Sequence, residues 1–219
     1  MTKDAKQLME EGWKAREGLE FETAEKLLNE AKVIFEQEGN WFDVTETLNH
    51  LAYSEKLKAI HHNLEGMKLA KEAGELATLH STNKVLVLRA LMSLANSAGL
   101  FEQALKWGYE CLTLFDKPAP RADVLSHIAT FQLRTGKLDE AEVTISEAET
   151  LLDEGFEGER EPHRSIWKSK ILMTKALIMY NKGNLTEGKV CIEEALKIAD
   201  TQNLKTRTEE IKSVIEIFD

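Results

Sequence analysis

A short frame recurs along this chain, and it restricts the fold more than any other feature of the sequence. Gly99-Leu-Phe-Glu-Gln-Ala104, Gly136-Lys-Leu-Asp-Glu-Ala141 and Gly183-Asn-Leu-Thr-Glu-Gly188 each carry a turn glycine, an apolar residue, an acidic residue and a small residue five places on. Gly18-Leu-Glu-Phe-Glu-Thr-Ala24 and His62-Asn-Leu-Glu-Gly66 are looser copies. The small residues fall at 24, 66, 104, 141 and 188, so successive copies lie 42, 38, 37 and 47 residues apart. A repeat of that period marks stacked supersecondary units, each of which buries its apolar face only against its neighbours.

Between the frames, apolar residues recur at helical spacing, as in Leu88, Leu91, Met92 and Ala95, and in Leu125, Ile128, Ala129 and Leu133. Breaks fall at Gly18, Gly39-Asn40, His62-Asn63, Gly99, Lys117 to Pro120, Gly136 and Gly183-Asn184. This punctuation predicts about eleven helices of about 12 to 18 residues. With three prolines in the chain, nearly all of it is free to be helical.

On these residues the sequence resembles the tetratricopeptide repeat (TPR) family, in an irregular form whose repeats exceed the usual length of about 34 residues. The second-helix small residues continue with Leu28 and Ala31, Ala70 and Ala73, Gly108 and Cys111, Ile145 and Ala148, and Ile192 and Ala195, the close-packing positions of the family. Met92 stands where a small residue is usual, and the second hairpin carries two extra residues near Ala59 to His62. The resemblance implies one domain over residues 1–219, an all-α, right-handed solenoid of about five hairpins. Their approximate ranges are 3–38, 41–80, 83–116, 120–153 and 164–200, and a capping helix follows over 203–219, with Leu204, Ile211, Val214, Ile215 and Phe218 on its apolar stripe. A plain antiparallel bundle is the alternative, but it needs no recurring small residues. The acidic, glycine-bearing stretch 153–164 is expected to be a mobile loop between hairpins four and five, either a linker or a flap.

Twenty-eight basic residues against 38 acidic ones give a net charge of −10, which opposes a phosphate backbone and argues against nucleic acid as a partner. The acid is concentrated in two blocks: residues 1–50 and 121–160 carry −6 each, while 51–120 and 161–219 carry +1 each. The first residues hold no apolar signal core, and no apolar run approaches the roughly 18 residues of a spanning helix. The expectation is therefore a cytoplasmic protein with no membrane partner. Cys111 and Cys191 match no metal or redox spacing and read as small apolar residues.

Candidate chemistry is thin. Gly183-Asn-Leu-Thr-Glu-Gly188-Lys189 satisfies the outline of a phosphate-binding loop, but Val190 replaces the hydroxyl residue and a helix precedes it where a strand is required. His61 and His62 are adjacent and point about 100° apart on a helix, and His50, His80, His127 and His163 are scattered, so no metal site is read. Asn184-Leu-Thr186 fits a glycosylation acceptor only in a secreted chain. Neither a catalytic constellation nor a cofactor site is read, and the chain is expected not to be an enzyme.

The resemblance implies that first helices line a concave groove. Counting back from the turns places Trp13, Arg16, Asn49, Tyr53, Arg89, Ser93, Asn96, Ser126, Thr130, Arg134, Lys170, Met173, Leu177 and Tyr180 on it. Cations and small polar groups there suit an acidic or amidic peptide. The family's Lys/Asn clamp for a terminal carboxylate is not reproduced, because Met9 and Trp13 stand at its positions. The expected function is a non-enzymatic interaction module or scaffold binding a peptide or helix of a partner protein. The second reading is a ligand-sensing domain that binds a small molecule and acts on a separate effector. A homo-oligomer formed through the C-terminal helix is a further expectation.

Overall fold

The computed structural model describes residues 4–82 and 84–218. Ten α-helices follow one another, and among the described residues there is no strand. They are α1 (Ala5–Glu17), α2 (Phe21–Gln37), α3 (Trp41–Leu79), α4 (Lys84–Ser97), α5 (Phe101–Leu112), α6 (Pro118–Arg134), α7 (Leu138–Gly155), α8 (His163–Asn181), α9 (Leu185–Thr201) and α10 (Lys205–Ile215). Single 3₁₀ turns follow α7 and α10, at Phe156–Gly158 and Glu216–Phe218.

The frame's glycine works through the backbone. Gly136 has φ +78°, and the turn it forms lets Lys137 N–H donate to Gln132 C=O at 2.9 Å, closing the end of α6. Gly99 and Gly183 act alike, with φ +74° and +80°. At the first repeat the left-handed residue is Leu19, φ 63°, and not Gly18, whose φ is −81°. Counted from Leu19, Ala24 is again five residues on, so the first frame has the same register as the others, with leucine in the glycine's place.

Packing divides the chain into two compact units, Met1–Gly66 and Met67–Asp219. In the first, Asp4 caps α1 by accepting from Gln7 N–H at 2.8 Å, an interaction worth about 1 kcal/mol. α1 and α2 then pack as a hairpin around Leu8, Ala31, Phe35 and Val44. A Cβ on Gly12 would lie 2.8 Å from Leu28 Cγ and 3.3 Å from Ala24 O, so no larger residue fits between the two backbones.

In the second unit α4 pairs with α5, α6 with α7 and α8 with α9. From α6 onward each first helix also touches the preceding second helix and the preceding first helix: α6 packs on α5 and α4, α8 on α7 and α6, α10 on α9 and α8. This is the neighbour pattern of a helical-repeat array, as the resemblance implies. The expected capping helix thus takes the place of a further first helix, and fully buried Ile211 covers Ala176, Ile192, Ala195 and Ala199. Its apolar side is engaged within the chain.

Two expectations are corrected. The break at His62-Asn63 does not occur: α3 runs through it for 39 residues, giving ten helices where about eleven were expected. The frame's left-handed position there falls on His61, and Ala59-Ile-His-His-Asn63 offers no glycine, so a left-handed turn would cost about 1–2 kcal/mol while helix continues freely. The stretch 153–164 is not a loop throughout. α7 extends to Gly155 and α8 begins at His163, because Leu152 and Phe156 prolong the apolar stripe onto the main core. Gly155 permits this: a Cβ there would meet the Ala119 backbone nitrogen at 2.7 Å.

Candidate ligand-binding face

Of the expected groove residues, four lie in the first unit. Arg16 is buried, at 7% exposure, and its guanidinium is already occupied. It donates to Glu17 Oε1 from Nε at 3.2 Å and from Nη2 at 2.7 Å, lies 3.3 Å from His50 Nδ1 through Nη1, and sits 5.9 Å over the Tyr53 ring. An arginine cannot accept, so His50 Nδ1 is the acceptor there. Trp13 and Tyr53 are exposed, at 43% and 57%, and Asn49 is exposed too.

The remaining ten lie in the second unit, and the structure sorts them by what they touch. Ser126 and Thr130 are buried, not groove-lining. Ser126 Oγ donates to Asp123 C=O at 2.7 Å, Thr130 Oγ1 donates to Ser126 C=O at 2.9 Å, and the Thr130 and Thr174 hydroxyls are 3.0 Å apart across the contact of α6 with α8. Short hydroxyl side chains that satisfy themselves on their own helix let two helices approach closely. Met173 is buried and Leu177 half-buried, so they also belong to the packing. Ser93 is exposed, and Asn96 is half-buried with an Oδ1 that has no hydrogen-bond partner. Tyr180, partly exposed, packs edge-on against Phe218 at 5.5 Å.

The charged residues form a different group, joined by four titratable residues that sequence reasoning did not assign to the face. Asp123, on α6, is buried and ion-pairs with Arg89 of α4. Burial drives its carboxyl pKa up, against the opposing pull of Arg89, Lys170 and Arg207. His127, one turn on, holds its Nε2 3.9 Å from Asp123. Burial first, then Lys170, Arg89 and Arg207, push its pKa well below the ordinary value, so the ring is neutral at pH 7. Arg207 of α10 ion-pairs with Glu210, and its Nε is buried without a partner. Lys170 of α8, half-buried among them, forms no hydrogen bond or ion pair among the described residues. Burial and then Arg207 bring its pKa down to about 8. Arg134 is exposed, its guanidinium 5.5 Å over the Phe101 ring.

Four cations, Arg89, Arg134, Lys170 and Arg207, therefore gather along successive first helices with two carboxylates, Asp123 and Glu210, between them. In a chain of net charge −10 this surplus of positive charge is local. A shallow cavity of about 220 Å³ opens beside it, lined by Ile166, Leu204, Lys205, Thr206, Arg207 and Glu210. Arg207 and Glu210 were missed because their helix reads from sequence as a cap. Asp123 and His127 share a stripe with Arg134 on α6, and that spacing was the available signal.

Among the described residues no group of His, Cys, Asp and Glu is arranged to hold a metal ion, and no helix is long and apolar enough to cross a membrane. Cys111 is buried, its thiol pushed up to about 11 by burial, and Cys191 is half-buried; neither is in a disulfide.

Comparison of the sequence finds no matching family model and no matching curated protein. Among solved structures the chain is similar to the nearly identical TPR-like repeats of a Podosopora anserina chain assigned as a kinesin light chain. The two share 15% identity with a TM-score of 0.42, over 92% of this chain and 99% of that one.

Proposed function

We propose that this chain is a non-enzymatic protein-interaction module, and that the cationic first-helix face of its second unit binds an acidic peptide segment of a partner protein. The observation that carries this reading is Lys170: a half-buried ammonium beside Arg207 and Arg134, drawn by Glu210 and Asp123 but with no hydrogen bond or ion pair of its own among the described residues. Holding unpaired like charges together opposes folding, and a carboxylate arriving from outside would relieve the repulsion. Arg134, exposed on the same face, would supply a second charge-assisted contact, and the partnerless Oδ1 of Asn96 an acceptor for a backbone N–H. The cavity of about 220 Å³ beside Arg207 is smaller than the roughly 300–1,000 Å³ of small-molecule sites, so at this face a peptide side chain fits better than a whole small molecule.

The test is selection of binders from a random twelve-residue peptide library on the full chain, followed by titration of the enriched peptides against wild type and Lys170→Glu/Arg134→Glu. Enrichment of Asp and Glu, with affinity reduced at least tenfold in the double variant, supports the proposal. Enriched peptides without acidic residues, or affinities unmoved by the charge reversal, refute it.

A further inference from the structure

His127 stands inside the charged group of the second unit without belonging to the Arg89–Asp123 or the Arg207–Glu210 ion pair. Its Nε2 lies 3.9 Å from Asp123, which is itself held by Arg89 of α4. The ring packs at 6.1 Å on Phe131, one turn further along α6, and its side chain is 22% exposed. Lys170 of α8 and Arg207 of α10 act on it from the neighbouring first helices. The principal charges that disfavour imidazolium are thus Lys170, Arg89 and Arg207, all positive. None of the three comes from α5 or α7, the other helices packed on α6.

Two costs keep this ring neutral. Burial disfavours the charged form, and the three cations repel it. An anion bound at Lys170 would change the second cost far more than the first. It sets a negative charge against the three repelling ones, whereas a ring already mostly covered has little water left to lose. Linkage makes the coupling reciprocal: a ligand that favours imidazolium binds better to a chain whose His127 is protonated.

On the reading of this face as a site for acidic peptides, we infer that His127 takes up a proton when the peptide binds, so that mild acidification tightens binding. Lys170, whose pKa is about 8, is already mostly protonated at pH 7 and adds little to this gain. The free ring's pKa lies below the ordinary histidine value and the bound ring's lies higher. Affinity therefore climbs as pH falls through the bound value and levels off below the free one.

The probe is hexa-aspartate with blocked termini, titrated calorimetrically into the full chain between pH 7 and pH 5.5 in buffers of different ionisation enthalpy. Cations lower the carboxyl pKa values of a bound aspartate peptide, so the peptide itself releases protons and net uptake must come from the protein. The wild type is expected to bind about threefold or more tightly at pH 5.5 than at pH 7, with net proton uptake, and His127→Gln is expected to show neither. The NMR titration of the His127 ring in the wild type, which needs no variant, is expected to move to higher pH when the peptide is present. Binding that is lost in Lys170→Glu/Arg134→Glu but is unchanged from pH 7 to pH 5.5 overturns this inference and leaves the reading of the face intact. Binding that the charge reversal does not weaken, or no binding at all, overturns both. Proton uptake that persists in His127→Gln, or a ring titration unmoved by the peptide, overturns the role of His127.

Discussion

Arg16 in the first unit and Lys170 in the second are both cations on first helices, and their electrostatic surroundings are opposite. Arg16 is enclosed by groups that accept from it or stack on it: Glu17, His50 and Tyr53. Lys170 has Arg207 and Arg134 near it and makes no direct pair with Glu210 or Asp123, and burial, then Arg207, brings its pKa down to about 8. A buried cation with its own partners is part of the fold, whereas a half-buried cation without them is a cost to the fold that an external anion would offset. The contrast shows that position on a first helix does not by itself make a residue available to a ligand. What decides is whether its hydrogen-bonding capacity is already used.

Arg89 belongs with Arg16 in this respect, and its removal gives the largest expected effect. Arg89→Leu leaves Asp123 buried without its ion pair and is expected to cost about 3–5 kcal/mol at pH 7 in urea denaturation. Arg89→Leu/Asp123→Leu, which removes both charges, should recover most of that loss. A single variant within about 0.5 kcal/mol of wild type would mean that Asp123 is held by other means. Arg16→Leu is expected to cost less, about 1–2 kcal/mol, because Glu17 is surface-exposed and needs no partner, and it should leave the affinity for acidic peptides unchanged. Reduced peptide affinity in Arg16→Leu would erase the distinction between the two faces.

The third effect is a pH dependence. His127 has a folded-state pKa below its unfolded value, so the unfolded chain takes up the proton first, and stability should fall as pH drops below about 6.5 towards that folded value. Asp123 acts oppositely: its raised pKa means that its ionisation opposes folding, a penalty relieved on acidification. His127→Gln should therefore remove the loss of stability that begins near pH 6.5 and leave the Asp123 contribution at lower pH. An acid limb unchanged by the substitution would mean that His127 is not held neutral.

Much of the architecture was legible in the sequence because backbone requirements write themselves into residue types. Gly99, Gly136 and Gly183 occupy left-handed positions, and Ala24, Ala104, Ala141 and Gly188 sit where backbones nearly touch. The second repeat misled because its small residues remain while its turn residue is missing, and a turn is decided by local backbone conformation, not by the packing that would follow it. The face was legible only in outline. Arg134 is exposed and Lys170 half-buried, whereas Ser126 and Thr130, expected in the groove because polar residues were taken to face outward, are buried, since hydroxyls can be satisfied on their own helix. Arg207 and Glu210 could not be assigned from a pattern that ended with the last hairpin, since their role depends on α10 packing as one more first helix.

The central claim is that the second unit keeps a half-buried cation without a direct partner for a ligand, and Lys170→Gln tests it most directly. Two quantities are read on one sample: the thermal midpoint at pH 7, and the affinity for the selected acidic peptides between pH 7 and pH 9. The account predicts that the substitution raises the midpoint, because a half-buried charge disfavoured by desolvation and by Arg207 is removed, while peptide affinity falls at least tenfold. It also predicts that the wild type's affinity weakens as pH rises through about 8 and that the variant's does not. A lowered midpoint with unchanged affinity and pH profile would show that Lys170 serves the fold, and would contradict the account.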